Sequence, residues 1–229
     1  MSVILKNLPK PNAVLFDLDG TLLDTADDLA NALNILLAER SRKTIEPSKL
    51  RDKVSNGANA LLRYGFGVSP DDEGFEDLRQ AYLDTYLNNL ATYTQPFPHI
   101  EDLITALDQA LVPWGIVTNK PYPYAKPLME QFEFAHRCQT LVCPDHVQQK
   151  KPHPEALFLA CEQMKVDASS CVYVGDHRRD IACGNDAGAI TIACAYGYLE
   201  PWDDIADWNA DFVVQSGKEL CNLIRDSLS

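Results

Sequence analysis

Short apolar runs that end in small or acidic residues recur along the chain. "AVLFDL" (13–18), "WGIVTN" (114–119), "TLVC" (140–143), "SCVYVGD" (170–176) and "AITIACA" (189–195) each read as a buried strand, with "DFVV" (211–214) a weaker sixth. None alternates cleanly between apolar and polar positions, the mark of strands covered on both faces. Between most of them the apolar residues fall at helical spacing. "HIEDLITALDQAL" places Ile100, Leu103, Ile104, Leu107 and Leu111 on one face, and "SGKELCNLIRDSL" groups Leu220, Leu223, Ile224 and Leu228. "HPEALFLACEQM" carries Pro154 where a first helical turn accepts proline. Strands separated by helices predict an α/β fold, a doubly wound (Rossmann-like) parallel sheet.

One region breaks this rhythm. From about Asp24 to Thr92 the pattern shows no convincing strand. "TADDLANALNILLAER" carries a stripe of Leu29, Leu33, Leu36 and Leu37, with Thr25 as N-cap and Asp28 three residues on. "NGANALLRYGF" and "EDLRQAYLDTYLNNLATY" continue the helical theme, and Tyr82, Tyr86 and Tyr93 read as core or surface of that unit rather than a stacking platform. The expected organisation is therefore an α/β core of residues 1–23 and 94–229 with a small helical cap domain, 24–93, inserted after the first strand. "YTQPFPHI", with Pro96 and Pro98, reads as a stiff return linker.

Composition narrows the partners. The 229 residues are 46% hydrophobic and 23% charged, as in an ordinary globular protein, and the net charge of −13 repels nucleic acid and anionic membrane. The basic run "RSRK" (40–43) reads as a solvated face. Cys138, Cys143, Cys161, Cys171, Cys183, Cys194 and Cys221 form no C-x-x-C pair, and their odd number fits free, mostly buried thiols in a reducing compartment. "MSVILKNLPKPN" is too short and too quickly polar for a signal peptide, so the expected location is the cytoplasm.

The chemistry gathers where strands end. Asp17 and Asp19 close the first run, and Asp176 closes "CVYVG" with Asp180 four residues on. Ligands of a parallel sheet bind beyond the carboxyl ends of its strands. If these two strands are neighbours, three or four carboxylates converge there. Two like charges about 4 Å apart repel by roughly 4 kcal/mol at an effective dielectric near 20. A hard divalent ion, Mg²⁺, would supply the offset. Thr118 and Asn119 end another strand, and Lys151 precedes the P-x-P of "KKPHP". These donors, with backbone N–H groups around Leu18–Gly20, suit the oxygens of a phosphoryl group. Alone, "TN" reads equally well as a helix start, and a lone lysine says less still; in this order on alternating strands the four stretches are specific.

Together "DLDGT" (17–21), "TN" (118–119), Lys151 and "GDHRRD" (175–180) resemble the motifs of the haloacid dehalogenase superfamily of phosphatases, and the resemblance spans nearly the whole chain. It implies that Asp17 is a nucleophile that becomes an aspartyl phosphate. Asp19 would be general acid and then general base, a second acid that dehalogenases lack. Thr118 and Lys151 would hold phosphoryl oxygens, with Lys151 also offsetting the charge of Asp17. Mg²⁺ would be held by Asp17, the backbone carbonyl of Asp19 and Asp176, assisted by Asp180.

"VSNGANALL" (54–62) resembles the cap's substrate loop. There Asn56 and Gly57 either offer donors to an anionic group or form an ordinary helix boundary. "VTNKP", "CPDHV", "KKPHPEAL", "GDHRRDI" and "YGYL" are similar to stretches of bacterial phosphoglycolate phosphatases and, more closely, of N-acetylmuramic acid 6-phosphate phosphatases. The implied function is hydrolysis of a small phosphate ester by a monomer or homodimer; a phosphosugar mutase is the alternative. A non-catalytic binding module would be expected to lose Asp17, Asp19 or Lys151. His99 reads as a surface helix start, His177 as an exposed loop residue or a lining of the site entrance, and Trp202 and Trp208 as packing anchors. Gly197 reads as a point of close backbone approach.

Overall fold

Ala13, Val14, Leu15 and Phe16 are wholly buried and form the strand on which the molecule is built. The computed structural model describes residues 7–228; residues 1–6 of the amino-terminal stretch discussed above lie outside the described residues. In chain order the strands are β1 (Ala13–Phe16), β2 (Leu23–Asp24), β3 (Gln95–Pro96), β4 (Trp114–Val117), β5 (Leu141–Val142), β6 (Cys171–Gly175), β7 (Ile190–Cys194) and β8 (Phe212–Val214). The helices are α1 (Ala26–Glu39), α2 (Gly57–Phe66), α3 (Phe75–Asn88), α4 (Ile100–Gln109), α5 (Tyr122–Met129), α6 (Glu155–Met164), α7 (Arg178–Ala187) and α8 (Gly217–Ser227).

Six strands form one sheet in the order β5-β4-β1-β6-β7-β8, every neighbouring pair parallel. Successive side chains of a strand point to opposite faces. Val14 and Phe16 accordingly pack with Ile104 and Leu107 of α4 and with Leu220 and Ile224 of α8. Ala13, Leu15 and Tyr173 pack with Ala156 and Leu157 of α6 and Cys183 of α7. The α/β class and the doubly wound sheet expected from the sequence are those observed. The chain runs from β1 out to β5 on one side, then returns to lay β6 on the other. The sheet therefore reverses at β1, the place where ligands bind in such folds.

The strands stop before the apolar runs do. β1 ends at Phe16, β4 at Val117 and β6 at Gly175. The residues just past these ends are Asp17, Thr118 and Asp176, which lie beyond the ladder at the carboxyl edge. α4 likewise ends at Gln109, so Leu111 does not extend its buried stripe; it is 89% exposed at φ +56°.

β2 and β3, which the sequence pattern missed, pair antiparallel, Leu23 opposite Pro96 and Asp24 opposite Gln95. Proline is tolerated in so short a ribbon because an edge position needs no N–H there. The ribbon carries the chain into and out of a unit built from α1, α2 and α3, in which Tyr82 and Tyr86 are buried and Tyr93 is exposed. Asp28 does not close a capping box with Thr25. Its buried carboxylate accepts the N–H groups of Tyr93 and Thr94, tying α1 to the returning chain. The first N–H groups of α1 are satisfied instead by Tyr198, whose hydroxyl accepts from Thr25 N (2.6 Å) and Ala26 N (3.0 Å) and donates to Asp24 (2.9 Å). Arg51 completes this junction, bidentate to Asp24 and stacked over the Tyr198 ring.

Other expectations divide. Trp208 is buried as an anchor, but Trp202 is 77% exposed because its loop turns it to solvent. His99 starts α4 and pairs with Asp102. The "RSRK" side chains are exposed, with Arg42 laid over the Phe66 ring. All seven cysteines are free thiols, only Cys138 of them incompletely buried. No helix among the described residues is long and apolar enough to cross a membrane.

Tyr198 links the core to the start of α1. Tyr198→Phe leaves two buried N–H groups without an acceptor, at about 1–3 kcal/mol. A thermal melt followed by circular dichroism should show a transition lowered by several degrees. An unchanged melt would mean that water replaces the hydroxyl at no cost.

Candidate active site

Asp17 is the first residue past β1, where its N–H donates to Val174 O and its own Oδ1 accepts from Leu18 N at 2.7 Å. Asp176 occupies the matching place past β6, and Asp180 lies in the first turn of α7. All three are buried, and one carboxylate oxygen of each lies within 4.8 Å of the others. The carboxylates that the sequence could only propose to converge do so because β1 and β6 are neighbours.

Lys151 enters this cluster from the loop before α6, with no exposure of its side chain. Its Nζ is 3.0 Å from Asp17 Oδ1 and 2.7 Å from Asp180 Oδ1, and it donates to Val117 O (2.8 Å) and the Tyr173 hydroxyl (2.9 Å). Burial alone would raise the Asp17 carboxyl. The Lys151 and Arg179 charges, with hydrogen bonds from Lys151 and Leu18 N, hold it below its usual value instead. Asp176 goes the other way: burial, then the neighbouring Asp17 and Asp180, push it up to about 8 against donation from Tyr198 N and the Thr21 hydroxyl. One ammonium therefore does not balance three carboxylates, and one of them keeps a proton at neutral pH. A buried set of hard carboxylate oxygens short of positive charge fits a divalent cation.

Two glycines make room for the cluster. Gly20 has φ +86°, and a Cβ there would come 2.1 Å from Asp176 Oδ2; a Cβ on Gly197 would come 2.2 Å from Asp176 Cβ. The close approach expected at Gly197 is thus to a carboxylate of the cluster itself.

Asp19 stands apart from the three. Its Oδ1 accepts from the Thr25 hydroxyl (2.6 Å) and from Lys120 Nζ (3.0 Å), which also reaches Oδ2 at 3.2 Å. Asp17 and Asp19 nevertheless line one cavity of about 130 Å³ between the sheet edge and the helical unit. Thr118 and Asn119 line it too, and the Asn119 amide donates to Lys151 O at 3.0 Å. The helical unit closes the other side with Leu29, Ser55, Gly57, Tyr82 and Tyr86. Gly57 is thus at the cavity but Asn56 is not: its amide donates to Glu200 at 2.7 Å, bridging the helical unit to the loop after β7. The backbone donors expected around Leu18–Gly20 are partly spent, since Leu18 N serves Asp17 and Gly20 N serves Leu23 O.

His177 is neither an exposed loop residue nor part of the cavity lining. Half-buried, it caps α7, its Nδ1 accepting from Arg179 N while Asp180 accepts from His177 N. Burial and then the Arg179 charge push the imidazole down to about 4, which keeps it neutral and able to accept. Two further cavity residues escaped the sequence reading. Lys120 is buried against Asp19 and lies 4.7 Å over the Tyr86 ring; burial opposes its charge, but Asp19 and Tyr86 raise it overall. Arg179 also reaches the cavity. Their signal was present, a cation directly after "TN" and a second inside "GDHRRD", each at the carboxyl edge.

Residues 14–194 match the haloacid dehalogenase-like hydrolase family. The chain is 43% identical over 216 residues to the N-acetylmuramic acid 6-phosphate phosphatase of Pseudomonas aeruginosa, covering 94% of this chain and 96% of that one. It is 40% identical over 210 residues to the phosphoglycolate phosphatase of Xanthomonas campestris pv. campestris, covering 92% and 95%. Among solved structures, a predicted phosphoglycolate phosphatase from Haemophilus somnus 129PT superposes with a TM-score of 0.83 at 22% identity, over 95% of this chain and 99% of that one. At that identity the last likeness speaks for the fold.

The raised Asp176 carboxyl gives the cluster a pH dependence whose sign can be worked out. Its folded value lies above its unfolded one, so the folded state binds more protons in between. The metal-free protein then loses stability as pH rises from about 4 to about 8. A divalent cation should recover that loss, so the melting shift produced by added Mg²⁺ should be larger at about pH 9 than at about pH 6. Equal shifts at both would contradict proton release from the cluster.

Proposed function

Because the chain belongs to the haloacid dehalogenase-like hydrolase family, we propose that it is a phosphomonoester hydrolase working through an aspartyl phosphate on Asp17. The observation that carries this reading is the pair Asp17 and Asp19. They project from one strand end into one cavity, the first bonded to a buried ammonium and the second not part of the carboxylate cluster.

Asp17 attacks the phosphorus as an ionised carboxylate, the form that Lys151 favours. As the bond from phosphorus to the ester oxygen breaks, Asp19 gives that oxygen a proton. Asp19 then takes a proton from the water that attacks the aspartyl phosphate, and inorganic phosphate leaves with Asp17 restored. Thr118 and Asn119 orient the phosphoryl oxygens from the end of β4. Asp17, Asp176 and Asp180, with the backbone carbonyl of Asp19, would hold Mg²⁺, whose charge offsets that of the carboxylates and the phosphoryl group. The helical unit excludes bulk water from the cavity, which protects the acyl phosphate until the second step.

The substrate is a small organic phosphate met in the cytoplasm, N-acetylmuramic acid 6-phosphate or 2-phosphoglycolate. The identity of the relatives favours the first.

Phosphate release from both esters and from hexose 6-phosphates, measured with and without Mg²⁺, tests this reading. One of the two carboxylated esters should exceed the hexose phosphates in kcat/KM by at least about tenfold, and chelation should stop turnover. Asp17→Asn should reduce turnover to background with the fold retained. Asp19→Asn should lower kcat by about 10²–10⁴-fold. Near wild-type hydrolysis by Asp17→Asn would rule out the covalent route.

A further inference from the structure

Three cations stand near the phosphoryl position, and they are not equivalent. Lys151 has no exposed surface, does not line the cavity, and has four oxygen partners for its three N–H groups. Lys120 lines the cavity but is engaged with both oxygens of Asp19. Arg179 lines the same cavity from the first turn of α7, and among the described residues its guanidinium enters no ion pair. Its Nε is buried with no hydrogen-bond partner.

A charged donor buried without an acceptor is costly, so proteins keep such groups paired. Arg179 also shares the cavity with Asp17, and its charge is, after that of Lys151, the next to act on the Asp17 carboxyl. Its backbone is fixed: His177 accepts its N–H, and the next residue, Asp180, is held by Lys151 and caps His177. A planar guanidinium has five N–H donors in a fork that matches two oxygens of one phosphate. Nothing among the described residues fills that fork, whereas a dianionic phosphoryl group beside Asp17 would.

We propose that the Arg179 guanidinium receives the phosphoryl oxygens of the substrate in the cavity beside Asp17. Lys151 is then the buried counter-ion of Asp17 and Asp180, and the Arg179 fork adds to the hold that Thr118 and Asn119 have on the phosphoryl group. A second role can be separated from this one by experiment: a bare counter-charge to the carboxylate cluster would compete with the divalent cation and leave phosphate binding alone.

The inference rests on the phosphatase reading, but its test uses inorganic phosphate, whose binding needs no turnover. Binding of inorganic phosphate to the full-length wild type, Arg179→Gln and Arg179→Lys is measured by calorimetry at saturating Mg²⁺. The Mg²⁺ requirement and the KM for p-nitrophenyl phosphate are measured alongside. The expected result is phosphate binding weakened at least about tenfold in Arg179→Gln, with KM raised in parallel. Arg179→Lys should recover part of the loss, because it keeps the charge without the fork, and half-saturating Mg²⁺ should stay within about twofold. Phosphate affinity within twofold of wild type in both variants would overturn the proposal, as would a change confined to the Mg²⁺ requirement. Should Arg179→Gln fail to fold, Arg179→Lys decides alone, by a several-fold loss or none. If the wild type cleaves no ester yet binds phosphate through Arg179, the phosphatase reading fails and this assignment stands.

Discussion

The Lys151 ammonium, sealed from solvent between Asp17 at 3.0 Å and Asp180 at 2.7 Å, is the interaction on which the site depends. Isolated, each of these charges would be far too costly to bury. Held together they define a fixed point where three structural layers meet: β1 supplies Asp17, α7 supplies Asp180, and the loop into α6 supplies Lys151. The ammonium is anchored further by Val117 O at the end of β4 and by the Tyr173 hydroxyl in β6. Removing one partner from such a set leaves an uncompensated buried charge, typically a loss of 3–5 kcal/mol. The arrangement also sorts the acids. Asp17 is kept ionised, Asp176 is left partly protonated, and Asp19 is held away from the cluster by Lys120 and Thr25.

A second consequence concerns the helical unit. Tyr198 lies in the loop after β7; its N–H holds Asp176 and its hydroxyl holds the start of α1. Thr25, the residue before α1, donates to Asp19. The carboxylate cluster, the acid outside it and the entrance to the helical unit are thus joined by two residues, Tyr198 and Thr25. Thr25 thus ties the start of α1 to the Asp19 carboxylate.

Much of this was legible in the sequence. Short apolar runs that end in small or acidic residues, separated by segments of helical spacing, gave the strands and the sheet class. The acids at 17, 176 and 180 could be placed together because parallel strands present their carboxyl ends on one edge. What was not legible depends on contacts between distant segments. The ribbon of Leu23–Asp24 with Gln95–Pro96 is too short to show any periodicity, and proline argued against it. The sequence leaves Asn56 open as an anion donor or an ordinary helix boundary; its amide contact with Glu200 spans 144 residues and leaves no local trace. Thr25 and Asp28 match a capping box in spacing, yet each is claimed by a tertiary partner, Asp19 and the Tyr93–Thr94 backbone. Lys120 and Arg179 were in plain view as charges, but only the cavity shows that both are turned inward.

The proposed mechanism depends on the Asp17 carboxylate as the group that takes the phosphoryl. The most direct measurement is an acid quench of the working enzyme at short times, followed by peptide mass spectrometry. The expected result is a phosphorylated peptide modified at Asp17, appearing within the first turnover and decaying once substrate is exhausted. Rapid phosphate release with no phosphoryl group on Asp17 at any time, or one carried by a different residue, would contradict it.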